Sequence, residues 1–189
     1  MRLKVAMVAL VMCLAAPVSA SAFESTTNNW FVASAVQRAD EWWGAQGLVP
    51  CPATILISDK VSQDRAAETY VTDPTQGCPD NLDVWVDRGF YRRTLRTIER
   101  PTTRRPGCVE SGNRWRCNGP DPSSRASKMR TAAYFCAVVT HERGHNLGYV
   151  HSDETGMHPT GTEAEGVMHP DPVIPHGCYR WARRVLELK

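Results

Sequence analysis

With 189 residues and a formal charge of +2, the chain suits one domain that is large enough to bury a core. Arg2 and Lys4 lie in a segment expected to be removed, and without them the 22 basic residues fall to 20, facing 20 acidic ones. A neutral mature chain gives no reason to expect nucleic acid or an anionic membrane as a partner.

Residues 1–22 read as a secretory signal peptide. Arg2 and Lys4 begin it, Val5 to Leu14 is an apolar run, and Ala20-Ser21-Ala22 is a small-x-small cleavage site. The run is too short to cross a bilayer comfortably. No other stretch is long and apolar enough for a transmembrane helix, so residues 23–189 are expected to form one secreted or periplasmic domain, off the membrane.

Trp30 to Gln46 predicts an amphipathic helix, because Val32, Val36, Ala39 and Trp43 recur on one helical face and Gly47 ends it. Ala53 to Ser58 is rich in aliphatic and β-branched residues and reads as a strand. Asp59 to Gln76 is polar and ambiguous. Leu82 to Tyr91 reads as a second strand, with Val84 and Val86 alternating against Trp85 and Asp87. Arg92, Arg93, Arg96, Arg100, Arg104 and Arg105 follow closely. Blocks of like charge usually face solvent, so this segment is read as a solvated face and loop rather than a surface for an acidic partner. Gly119 to Ser124 is a loop, and Ala126 to Leu147 is a long helix with Met129, Ala133, Cys136, Val139 and Thr140 as its buried stripe. Gly148 to Pro175 is mostly loop, punctuated by glycine and proline. Cys178 to Leu188 closes the chain as a helix.

Cys13 leaves with the signal, so six of the seven cysteines remain, and in an exported domain six predict three disulfides. Cys108 and Cys117 flank Val109 to Arg116 with Ser111-Gly112-Asn113 inside it, which reads as a hairpin stapled across its turn. The other expected pairs are Cys51–Cys78 and Cys136–Cys178, although spacing alone leaves connectivity open.

The long helix ends in His141-Glu142-Arg143-Gly144-His145-Asn146-Leu147-Gly148-Tyr149-Val150-His151. Residues four apart share a helical face, so His141 and His145 can aim their imidazoles at one metal ion. Glu142 sits where it can reach a water on that ion. Gly148 tolerates a positive φ angle, so the chain can leave the helix sharply and bring back His151 as a third ligand. Three protein ligands leave a coordination position open, which marks a catalytic zinc site rather than a closed structural one.

These eleven residues resemble the zinc signature of the metzincin metallopeptidases, and Ser152 after the third His is most similar to the matrixin branch. The resemblance implies an α+β fold with a twisted mixed sheet, two long helices, one of them the zinc helix, a Met-turn and a C-terminal helix. It implies one catalytic zinc and a protein or peptide substrate, and the enzyme is expected to be a monomer. The sequence is silent on calcium, for want of a convincing run of oxygen ligands. Two Met-x-Pro segments resemble the Met-turn, Met157-His158-Pro159 and Met168-His169-Pro170. Met168 is chosen, because Met157 follows His151 very closely whereas Met168 follows the small and apolar Gly166-Val167. His158, His169 and His176 are read as loop histidines.

The mechanism so implied is metal-assisted peptide hydrolysis, with Glu142 taking the proton of water and passing one to the leaving amine. Substrate is expected to lie extended beside an edge strand, and the apolar segment Asp171 to Pro175 is expected to wall the pocket for the side chain after the cut. The family's large inhibitory prosegment has no counterpart between the cleavage site and the first helix, so an enzyme without a covalent proregion is expected. The rival readings are a secreted zinc-binding interaction module that no longer cleaves, and a disulfide-stapled structural protein with a surface histidine cluster. Glu142 and the open coordination position favour the enzyme.

Overall fold

A computed structural model of the chain describes residues 29–62, 65–79, 82–101, 109–111, 114–116 and 124–187. The expected signal peptide and the Cys108–Cys117 pair lie outside the described residues. In chain order the elements are α1 (Trp30–Ala45), β1 (Thr54–Ser58), β2 (Ala67–Thr69), a 3-10 turn (Pro74–Gln76), β3 (Asp83–Asp87), α2 (Arg88–Glu99), β4 (Val109–Ser111), β5 (Arg114–Arg116), α3 (Arg125–His145), α4 (Thr162–Val167) and α5 (His176–Glu187). The architecture is α+β. A mixed three-stranded sheet has the order β1-β3-β2, with β1 parallel and β2 antiparallel to the central β3. β4 and β5 form the expected hairpin.

α1 starts where Asn29 accepts hydrogen bonds from the Phe31 and Val32 amides, which satisfies two donors that the first turn leaves bare. Its predicted face is buried in full: Val32, Val36, Ala39 and Trp43 are all shielded from solvent. Ser124 caps α3 in the same way, accepting from the Ser127 amide. α3 is the central helix and packs against α1, α2, α5 and β2. The core surrounds it, with Phe31 and Val32 of α1, Val84 and Val86 of the sheet, and Trp181 and Val185 of α5 clustered with Phe135 and Val139. Aromatic rings concentrate there, with the Phe31 and Phe135 centroids 4.8 Å apart.

The second predicted strand is shorter than expected. It ends at Asp87, whose carboxylate caps α2 by accepting from the Phe90 amide, and Arg88 to Tyr91 form the first turn of that helix. The arginine-rich segment is therefore helical up to Glu99 rather than a loop. Thr94 and Ile98 are buried and Phe90, Tyr91 and Leu95 pack against the core, while Arg92, Arg93 and Arg96 face solvent as expected. Phe90, Thr94 and Ile98 recur every four residues behind an aspartate cap, which gives the helix its inward face. Lys128 of α3 donates to the Arg100 carbonyl at the far end of α2. The ambiguous stretch before β3 holds β2 and the 3-10 turn, and the loop after Gly148 contains the short α4.

Two of the expected disulfides are present, Cys51–Cys78 and Cys136–Cys178. The second joins α3 to α5 one turn before the histidine motif. Both are compatible with an oxidising extracellular compartment. No helix among the described residues is long and apolar enough to cross a membrane.

Candidate metal centre

The last turn of α3 carries His141, Glu142 and His145, all buried. The helix closes with Asn146 as its C-cap, and Gly148 takes a φ of +87°. That conformation is strained for any residue with a Cβ, so glycine is needed here. The Gly148 and Tyr149 amides fold back onto the His145 and Gly144 carbonyls. Beyond the turn, Val150 donates to the Met157 carbonyl and Ser152 to the Met168 carbonyl, 3.0 and 3.1 Å. These bonds return His151 to the end of the helix.

The three imidazoles are held in one sense, Nδ1 outward and Nε2 inward, while the His145 plane crosses those of His141 and His151 at 89° and 78°. His141 Nδ1 lies 2.8 Å from the Val167 carbonyl, His145 Nδ1 2.7 Å from the Tyr149 carbonyl, and His151 Nδ1 3.1 Å from Glu154 Oε1. Carbonyl and carboxylate oxygens only accept, so each Nδ1 is the donor, and in the tautomer that this fixes each ring presents a bare Nε2. These nitrogens converge: His141 Nε2 is 3.1 Å from His145 Nε2 and 3.2 Å from His151 Nε2. Lone pairs this close repel unless a cation lies between them. Nitrogen ligands bound tetrahedrally at about 2.0–2.1 Å sit roughly 3.3 Å apart, close to the spacing found. The His141, His145 and His151 group can therefore hold a metal ion.

Burial sets the charge states to match. It pushes the His141 imidazole down to about 3, with His145 adding to the shift, and it lowers His145 as well. The neutral ring is the form that ligates a metal. Burial pushes the Glu142 carboxyl up to about 8, with the Glu68 charge adding to it. The Thr69 amide donates to that carboxyl, but Glu142 Oε2 is buried with no hydrogen-bond partner. An unpartnered acid oxygen in the same cleft as three bare nitrogens fits a site completed by a cation and a water. Hydrogen bonds from His151 hold the exposed Glu154 carboxyl below its usual range.

These groups line a cleft of about 430 Å³. One wall is residues 65–69, which include β2 at the edge of the sheet. The other walls are Tyr134 and Val138 of α3, then Pro170 and Pro172. Of the segment expected to wall the pocket, Pro172 does so, whereas Val173 and Ile174 line a neighbouring groove.

Met168 is fully buried, and a Cβ at position 144 would collide with its sulfur and, at 2.9 Å, with the Trp43 ring. Met157 is 41% exposed. His158 and His169 are exposed loop residues, as expected, while His176 begins α5.

The sequence reading missed Glu154, which its position three residues after a ligand in a turn would have brought to notice. It also missed a buried polar network behind the motif. Arg143 donates to Asp40 of α1 at 2.7 Å and to Asn146 Oδ1 at 2.8 Å, and Asn146 in turn donates to Thr69 Oγ1 at 3.1 Å. Burial raises the Asp40 carboxyl against the pull of Arg143. The network ties the motif helix to both α1 and the cleft strand.

Comparison with known proteins gives no match: no family model, no curated protein and no solved structure matches the chain.

Proposed function

We propose that the protein is an exported zinc-dependent endopeptidase of the metzincin type, with His141, His145 and His151 as the zinc ligands and Glu142 as general base. The observation that carries this reading is the convergence of three bare Nε2 atoms at 3.1 and 3.2 Å beside the unpartnered Glu142 carboxyl. A metal held by three neutral protein ligands keeps an open position, as catalytic zinc requires. Support for the metzincin type comes from the eleven-residue motif, the sharp exit at Gly148, and Met168 packed under the motif helix.

Zinc supplies Lewis acidity, which makes water a nucleophile near neutral pH and polarises the scissile carbonyl. The rest is work for the chain's own groups. The Glu142 carboxylate accepts the proton of the attacking water and returns one to the departing amine. Burial raises its proton affinity, and the charge of a bound cation beside it would lower that affinity again, which frees the carboxylate to act as base. β2 is an edge strand whose outer side pairs with no strand among the described residues, so an extended peptide can add to it there. Tyr134, Val138, Pro170 and Pro172 offer an apolar pocket to a substrate side chain.

The test uses the mature, disulfide-bonded protein. One zinc per chain is expected, and proteolysis should stop with a chelator. Glu142→Gln should keep the zinc and lose activity by at least about a hundredfold. Wild-type cleavage by that variant would remove Glu142 from the role of base. Zinc bound without cleavage of a broad peptide library would favour the interaction module, and absence of stoichiometric metal would end both readings.

A further inference from the structure

We infer that Glu154 is the positioning residue of the third metal ligand and sets how tightly the centre holds its ion; the inference rests on the metal-centre reading above. The three histidines are not held alike. His141 and His145 sit on a helix, and their Nδ1 donors end on main-chain carbonyls of Val167 and Tyr149. Those supports are uncharged and fixed by the fold. His151 lies in irregular chain past Gly148 and is half-buried. Its Nδ1 meets a side chain.

Glu154 grips His151 from both ends. Oε1 lies 3.1 Å from Nδ1, and Oε2 accepts the His151 backbone amide at 3.2 Å. The Glu154 amide donates to the His151 carbonyl at 3.0 Å, which closes the turn. The carboxylate thus fixes the ring's tautomer and its rotation together. Donation to an anion also makes Nε2 a stronger base toward a metal. Three neutral imidazoles leave a dication's charge uncompensated, and Glu154 places a negative charge behind one of them. It does so from outside the ligand set. It faces the ring nitrogen turned away from the convergence point, and its oxygens are not among the clustered ligand atoms.

The Glu154 side chain is 53% exposed, and surface ion pairs of that kind contribute almost nothing to folding. Removing it should therefore leave the stability of the stripped fold unchanged and weaken only metal binding. Neighbouring Asp153, also exposed, provides a control that deletes the same charge one residue away.

The experiment measures zinc affinity of the mature protein by competition with a chromophoric chelator, alongside the urea midpoint of the stripped form. Glu154→Ala should bind zinc about 10- to 100-fold more weakly with an unchanged stripped midpoint. Glu154→Gln keeps an acceptor oxygen without the charge and should fall between Glu154→Ala and wild type. Asp153→Ala should match wild type. Zinc affinity of Glu154→Ala within twofold of wild type, or an equal loss in Asp153→Ala, would overturn the role. So would a lowered stripped midpoint that accounts for the whole loss. If the wild-type protein takes up no zinc, the metal-centre reading fails as well, and that outcome is distinct from the others.

Discussion

At His141 and Glu142, burial acts on adjacent side chains in opposite senses. It keeps the imidazole neutral down to about pH 3 and keeps the carboxyl protonated up to about pH 8. With metal chelated, these shifts make stability depend on pH. The folded acid binds its proton more tightly than the unfolded acid, so its contribution falls as pH rises from the usual carboxylate value to about 8. The folded imidazole binds its proton less tightly, so its contribution falls as pH drops from the usual imidazole value toward 3. The two trends oppose each other in mildly acidic solution, and only Glu142 acts between about pH 6.5 and 8. The stripped wild-type protein should therefore lose stability across that interval, by at most about 1.4 kcal/mol per pH unit. Glu142→Gln should abolish the slope. Urea midpoints at the two ends of the interval check this, and an equal slope in the variant would place its origin elsewhere.

Among the elements, α3 is the one whose position matters most, because it carries two of the three converging histidines and Glu142. Trp43 Nε1 donates to the Thr140 carbonyl at 2.8 Å, which fixes α1 against the turn just before His141. Gly144 lies on the same face, and a Cβ there would meet the Met168 sulfur and the Trp43 ring. Gly144→Ala must therefore displace Met168 or Trp43, although alanine is the better helix former. A loss of about 1–3 kcal/mol by urea unfolding, with weaker zinc binding, is the expected result. A variant as stable as wild type would show that Met168 can move freely. Helices α1 and α3 were legible because their apolar residues repeat at helical spacing over three turns or more. α2 was not, because the alternation of β3 runs directly into apolar Phe90 and Tyr91, and the only boundary is the side chain of Asp87.

Over the whole molecule, two long-range ties hold the centre in place. Cys136–Cys178 closes a separation of 42 residues between α3 and α5. By chain entropy alone such a loop contributes about 4 kcal/mol. Replacing both cysteines by alanine should lower stability by roughly that amount, read from urea midpoints without reductant, and a loss below about 1 kcal/mol would mean that helix packing alone docks α5. The other tie is the ion pair of Arg143, whose side chain is 2% exposed, with Asp40 of α1. The small total charge of +2 also conceals a segregated one. Arg88, Arg92, Arg93, Arg96 and Arg100 belong to a single helix and its cap, and α2 turns most of them outward.

The sequence by itself determined what local spacing controls. Imidazoles four residues apart share a helical face, a glycine at position 148 permits the exit, and caps and apolar periodicity place α1 and α3. Only the tertiary structure decided which distant groups meet those residues. The acceptor that orients His141 is 26 residues away, and the carboxylate that pairs with Arg143 is 103 residues away. Packing also decided that Met168 rather than Met157 lies under the motif helix, that β2 walls the cleft, and that Glu154 supports His151. The physical reason is range. Periodicity and capping act within a few residues along the chain, whereas an orienting hydrogen bond depends on where a separate segment is brought by burial of the core.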